Sequence, residues 1–207
     1  MNAAGAGLLL AALGIGSIPF GLLIGRLAAG IDVRTRGSGN LGATNVLRVV
    51  GPRWGVLTLL LDVGKGALAV AGLPLWLGVA ECGDGALWPM AAGLAAVAGH
   101  CFSPWVGFRG GKGVATAVGV YLCAAPWAAA LAVAAFGLTL MIWRYVSLAS
   151  LAMAACYPLG VLLVGPAGAR GGPALLGLAL LLVIGWTHRA NWRRIAAGEE
   201  AGIGGGR

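Results

Sequence analysis

Four short polar runs interrupt an otherwise apolar chain, and together they hold nearly all the side chains able to do chemistry. The first reads Gly37-Ser38-Gly39-Asn40-Leu41-Gly42-Ala43-Thr44-Asn45, with Arg48 after it. Glycines let backbone N–H groups approach an anion closely. Ser38, Asn40, Thr44 and Asn45 add neutral hydrogen-bonding groups, and Arg48 can neutralise a phosphate. The second run extends from Gly99 to Thr116 and includes His100, Arg109 and Gly110-Gly111-Lys112-Gly113. Its last glycines immediately precede an apolar segment, so amides and the positive end of a helix would favour an oxyanion there. Arg144 and Ser147 form the third run, and His188-Arg189-Ala190-Asn191-Trp192-Arg193-Arg194 the fourth. Cations dominate all four. The chemistry they suit is recognition of phosphoryl groups, with His100 a candidate base or phosphate contact.

Several sharper motifs fail on inspection. Gly37–Gly42 is formally G-x-G-x-x-G, and Asp62 lies 20 residues beyond it. That fingerprint needs a preceding strand and a βαβ unit, whereas here it sits between two apolar stretches. Gly111-Lys112 is followed by Gly113 rather than Ser or Thr, and Val106 stands where a P-loop needs its first glycine. Trp105 occupies the aspartate position of a His-x-x-x-x-Asp dyad, which argues against acyltransferases that use that dyad on thioesters. Cys82, Cys101, Cys123 and Cys156 contain no Cys-x-x-Cys, and with two histidines they form no metal-ligand pattern. Neither a metal nor another cofactor is expected. The same residues also fit plainer roles: helix caps at Ser or Asn, cations that set topology, a basic tail on anionic lipid, and a structural ion pair between Asp62 and Lys65 inside an apolar segment.

The elements that position these runs are membrane helices. Of 207 residues, 59% are hydrophobic and 10% charged, with mean hydropathy +0.92. A soluble domain carries about 25% charged residues, so a water-soluble globule, a disordered tail and a nucleic-acid module all fit poorly. The net charge of +8 reflects scarce acids, six Asp and Glu against 14 Lys and Arg. Thirty-eight glycines without a collagen period suit helices packed backbone to backbone. Expected spans cover residues 4–26, 54–80, 87–106, 113–125, 126–143, 147–165 and 173–187, within one polytopic domain over 1–207.

The count turns on Gly113–Trp143, 31 uncharged residues with Pro126 near the middle. One span needs about 20 residues. Splitting the stretch at Pro126 places Arg26, Arg34, Arg36, Arg48, Arg53, Arg109, Lys112, Arg144, Arg189, Arg193, Arg194 and Arg207 in the cytoplasm and Arg170 outside, with Lys65 inside a span. That is 12 against one, whereas a single long helix gives eight against five. The positive-inside rule therefore predicts an all-α bundle of seven transmembrane helices, N-terminus outside and C-terminus cytoplasmic. Glu81 and Asp84 then lie outside.

Ser17-Ile18-Pro19-Phe20-Gly21, SGNLGATNVLR at 38–48, LDVGKG at 61–66, GHCFSPWVGFRGGKGVAT at 99–116, Arg144-Tyr145-Val146-Ser147 and HRANWRR with Gly198-Glu199 occur in this order. Across nearly the whole chain they resemble the bacterial acyl-phosphate:glycerol-3-phosphate acyltransferase family, the PlsY type. Arg109 stands where that family commonly has lysine, and Cys101 where it usually has a polar residue. The resemblance implies a seven-helix inner-membrane enzyme with a cytoplasmic active site, moving an acyl group from acyl phosphate to the 1-hydroxyl of sn-glycerol 3-phosphate. It implies that Ser38, Gly39, Asn40, Gly42, Thr44, Asn45, Arg48, Lys65, Arg109, Lys112, Arg144 and the Gly110–Gly113 backbone bind phosphates, Gly111 included. Ser147, His188 and Asn191 complete the pocket, with His100, Ser38 and Asn191 closest to the chemistry. Both substrates and membrane lipids are the expected partners, the chain acting as a monomer without nucleic acid. A transporter of a phosphorylated solute is the rival reading, though beyond Asp62 and Lys65 the spans hold few deep polar residues.

Overall fold

The computed structural model describes residues 3–78 and 87–203, and these are helical or irregular throughout. The expectations for Glu81, Asp84, Cys82, Arg207 and the end of the second span fall outside the described residues. Contacts divide the chain into two compact units, Met1–Cys123 and Ala124–Arg207.

In the first unit, α1 (Ala3–Ser17) and α2 (Phe20–Ala29) form one apolar stretch broken at Pro19, which has no N–H to donate. A polar loop leads to α3 (Ala43–Val49). Pro52 opens α4 (Pro52–Ala67), a position where the missing N–H costs nothing. A π-type turn, Leu68–Gly72, carries α4 into α5 (Leu73–Trp76). Pro74 cannot donate to the carbonyl four residues back, and the helical register loosens there. Then come α6 (Leu87–Cys101) and α7 (Val114–Ala124). The expected third span stops short at Cys101, because Pro104 turns the chain into a 3-10 turn over Pro104–Val106.

Glycines set how closely these helices approach. A Cβ on Gly16 of α1 would land on the Ala96 carbonyl of α6, and one on Gly99 of α6 would land on Leu13 of α1. Gly66 of α4 and Gly119 of α7 face Thr116 and Val63 in the same reciprocal way. Backbone thus meets backbone, as small residues allow in membrane helices. Leu8, Ala12, Ala69, Leu73, Ala92 and Ala96 fill the core between them.

The second unit holds α8 (Pro126–Trp143), α9 (Val146–Val164), α10 (Gly171–Thr187) and α11 (Arg189–Ala196), the last bent 61° from α10. Gly177 of α10 lies against the Tyr157 ring of α9. Arg144 joins α8 to α9 in the left-handed region, φ 60°.

A helix occupies each of the seven expected segments. By length and composition, Ala3–Ala29, Pro52–Trp76, Pro126–Trp143 and Val146–Val164 can cross a membrane, and the bent α10–α11 pair makes a fifth candidate. At 11 residues α7 is apolar but short, about 16 Å against a hydrocarbon core of about 30 Å. Leu60, Leu138 and Leu163 are largely exposed, which suits lipid rather than water. The protein is an all-helical integral membrane protein with four to five candidate spans.

Candidate active site

The first unit brings the first two polar runs to one end. Val106, from the second run, packs with Leu22, Ile24, Val33, Leu41 and Val46, which flank and underlie the first. The loop before α3 is built around Asn45, which is 1% exposed. Its Nδ2 donates to the carbonyls of Val33, Arg36 and Asn40 at 2.9–3.1 Å, and its Oδ1 accepts from the Ser38 N–H at 2.8 Å. Asn40 Oδ1 accepts from the Gly42 N–H at 2.8 Å. Gly37 must be glycine, since its φ is +58° and a Cβ would strike Asn45. Asp32 caps the preceding turn and binds Arg34 at 2.6 Å and Arg26 at 3.3 Å. Hydrogen bonds from Arg34 hold its carboxyl far below the usual range.

Asn45 and the amides of Gly42 and Ser38 shape the loop. The Ser38 hydroxyl, Gly39, Thr44 and Arg48 lie exposed, with Asn40 half-buried. They are the parts of the run left facing outward.

Gly110 and Gly111 are tied to the end of α6. Their N–H groups donate to the carbonyls of Cys101 and His100 at 3.0 and 3.1 Å, closing the C-terminus of α6. A helix end needs such donors, and these two amides supply them. A Cβ on Gly111 would land on His100 Nε2, and one on Gly110 on the His100 carbonyl. The loop therefore lies directly on the imidazole, with Arg109 exposed and Lys112 half-buried beside it. Gly113, φ +82°, starts the first turn of α7 by accepting from the Ala117 N–H.

Beneath the imidazole lies a buried ion pair. Lys65 and Asp62 are 2% and 1% exposed, and Lys65 Nζ is 2.9 Å from Asp62 Oδ1. The same ammonium is 2.7 Å from His100 Nδ1 and 3.1 Å from the Ile18 carbonyl, with the Phe20 ring 5.6 Å away. Lys65 is thus enclosed by protein acceptors. Removing one partner from such a pair costs about 3–5 kcal/mol, since the other charge stays buried. Nearby, Ser103 Oγ donates to the Ser17 carbonyl at 2.6 Å, and Trp105 Nε1 donates to Ser17 Oγ at 2.9 Å.

The second unit joins the third and fourth runs through a residue the sequence reading missed, Glu200. Ser147 Oγ and Asn191 Nδ2 each donate to its Oε1 at 2.6 Å, and Arg194 Nε donates to Oε2 at 2.8 Å. Burial pushes the Glu200 carboxyl up, but these hydrogen bonds outweigh it and hold it below its ordinary value. The tail beyond it is pinned as well: Ile203 N–H donates to the Arg144 carbonyl at 2.9 Å, and Arg144 Nε donates back to Ile203 at 3.0 Å. Arg144 thus clasps the tail. His188 caps α10, with Nδ1 2.8 Å from the Ile184 carbonyl, and is 1% exposed. The scarcity of acids was the one available signal for Glu200, since an acid after a run of arginines is a natural partner for them.

Comparison with known proteins gives the geometry its context. The family model described as glycerol-3-phosphate acyltransferase matches residues 6–198. Relatives named glycerol-3-phosphate acyltransferase include those of Trichlorobacter lovleyi, 47% identical over 190 residues, and Anaeromyxobacter dehalogenans strain 2CP-1, 43% identical over 186. The alignments cover 90% and 89% of this chain and 91% and 90% of theirs. Two crystal structures of PlsY (YgiH), an integral membrane glycerol 3-phosphate acyltransferase, superpose with TM-scores of 0.86 and 0.85 at 34% identity, covering 98% of this chain and 96% of those. One is its glycerol 3-phosphate form and the other its lysophosphatidic acid form. The chain belongs to the PlsY-type glycerol-3-phosphate acyltransferase family.

Proposed function

We infer that this protein transfers an acyl group from acyl phosphate to the 1-hydroxyl of sn-glycerol 3-phosphate, giving lysophosphatidic acid and phosphate. The observation that carries the reading is the packing of Val106 among Val33, Leu41 and Val46. It gathers two cation-bearing loops at one end of the first unit, as an enzyme with two phosphorylated substrates requires. Arg48, Arg109 and Lys112 supply charge, and Ser38, Asn40 and Thr44 supply neutral hydrogen bonds to phosphoryl oxygens. Within the second unit, Ser147 and Asn191 are set by Glu200 and His188 by the Ile184 carbonyl.

An acyl phosphate is already activated, so no protein nucleophile is needed. The glycerol hydroxyl oxygen bonds to the acyl carbon, and the carbon–oxygen bond to phosphate breaks with its electrons going to the departing phosphate. That phosphate accepts the hydroxyl proton. His100 lies where hydrogen bonding to the developing oxyanion would lower the barrier. The charge asymmetry of the loops supports seven spans in a bacterial inner membrane. The N-terminus is then outside and the active site cytoplasmic, with a monomer as the working form.

Purified protein given glycerol 3-phosphate with acyl phosphate or, separately, acyl-CoA tests this. Lysophosphatidic acid from acyl phosphate alone is the expected result. Product from acyl-CoA alone, or solute flux without product, overturns it.

A further inference from the structure

The Asp62–Lys65 pair lies under His100, but the activity proposed above assigns it no task. Three acceptors surround Lys65 Nζ: Asp62 Oδ1 at 2.9 Å, the Ile18 carbonyl at 3.1 Å and His100 Nδ1 at 2.7 Å. An ammonium has three protons and no lone pair; it hydrogen-bonds the Ile18 carbonyl and Nδ1, while Asp62 Oδ1 holds it as an ion pair. A buried carboxylate beside it favours the charged amine, since a neutral lysine would leave Asp62 unpaired. Nδ1 must then offer its lone pair to Lys65. Asp62 Oδ1 is 3.6 Å from Nδ1, too far to compete as an acceptor of an Nδ1 proton. The imidazole proton is left on Nε2, the atom that faces Gly111 and the loop carrying Lys112.

We propose that Lys65, held by Asp62, is a positioning residue that fixes His100 as the Nε2–H tautomer, so that the ring meets an anionic substrate oxygen as a hydrogen-bond donor. The proposal rests on the inferred acyl transfer for its consequence, but not for the tautomer itself. Orientation adds to it. With Nδ1 bonded behind the ring and the Gly110 and Gly111 amides bonded to the end of α6, the imidazole cannot flip without breaking a bond to a buried ammonium. His188 is set the other way: its Nδ1 lies 2.8 Å from the Ile184 carbonyl, which can only accept, so Nδ1 carries that proton.

The test is nitrogen NMR on the full-length protein in lipid nanodiscs with histidine labelled at both ring nitrogens, the His188 signals being assigned with a His188→Gln sample. The expected result at neutral pH is a protonated Nε2 and an unprotonated Nδ1 at His100. An Nδ1–H signal, or both nitrogens protonated, overturns the proposal, and this readout needs no substitution at Lys65. Lys65→Met, which keeps the stem and removes the donor, is then expected to make an Nδ1–H population appear. It should lower kcat at least tenfold while the KM for glycerol 3-phosphate stays within about threefold. A tautomer unchanged in a folded Lys65→Met protein also overturns the proposal. Wild-type protein with the expected tautomer but no lysophosphatidic acid product overturns the proposed activity instead, so the two failures are separable.

Discussion

Ser147 and Asn191 share one oxygen: both donate at 2.6 Å to Oε1 of Glu200. Two residues 44 positions apart are thereby set by a carboxylate from the tail, whose second oxygen takes Arg194. Replacing Glu200 with Ala strands three donors at once. The expected cost is about 2–4 kcal/mol, because hydrogen bonds to charged groups contribute about 1.5–3 kcal/mol each and the losses overlap. A fall in thermal midpoint in detergent together with loss of activity would show it, and an unchanged midpoint would refute the arrangement.

The same carboxyl makes a pH prediction. Its folded value is lowered, so its contribution to stability is full above the ordinary carboxylate range and is lost as pH falls through the folded value. Thermal melts across the acid range should show a weakening that Glu200→Gln flattens. Identical acid limbs in the two proteins would contradict this.

Gly111→Ala separates fold from chemistry. Its Cβ would land on His100 Nε2, and the ring must move because the loop is tied to α6. A displacement of about 1 Å costs on the order of 100-fold in rate. Turnover should fall by that order while the thermal midpoint shifts little. Retained turnover would mean that the ring has room to yield.

Asn45→Ala should behave oppositely. It leaves the Val33, Arg36 and Asn40 carbonyls and the Ser38 amide without their partner, a loss of about 1–3 kcal/mol. Because the loop presents Ser38, Thr44 and Arg48, the KM for glycerol 3-phosphate should rise along with the instability. An Asn45→Ala enzyme with an unaltered KM would show that the loop keeps its shape without the amide.

Arg48→Lys tests whether phosphate is held by a fork or a point charge. A guanidinium can bind bidentately and an ammonium cannot. Steady-state kinetics should give a KM for glycerol 3-phosphate about tenfold higher with Lys and higher still with Ala, with smaller changes in kcat. Equal KM values for Arg and Lys would assign Arg48 a purely electrostatic part.

Much of the fold is legible in the sequence. The helical segments could be read because the stretches between polar runs are nearly free of charge, and Pro126 marked the break that separates α7 from α8. Roles within the loops were harder to read. Gly110 and Gly111 read as loop amides, and only the fold shows that they close the end of α6. Asn45 resembled its neighbours Asn40 and Thr44 in type, and only the fold buries it. Lys65 could be paired with Asp62 by their three-residue spacing, yet no local spacing reveals His100, 35 residues away.

The break at Pro19 has a consequence for how the molecule is made. The Ser17 carbonyl is capped by the hydroxyl of Ser103, 86 residues downstream, and the Ile18 carbonyl by the ammonium of Lys65, 47 residues downstream. Lipid offers neither oxygen a donor. Neither oxygen gains its partner until α4 and the turn after α6 have packed against the break, so the first helical stretch and that end of the unit become complete together.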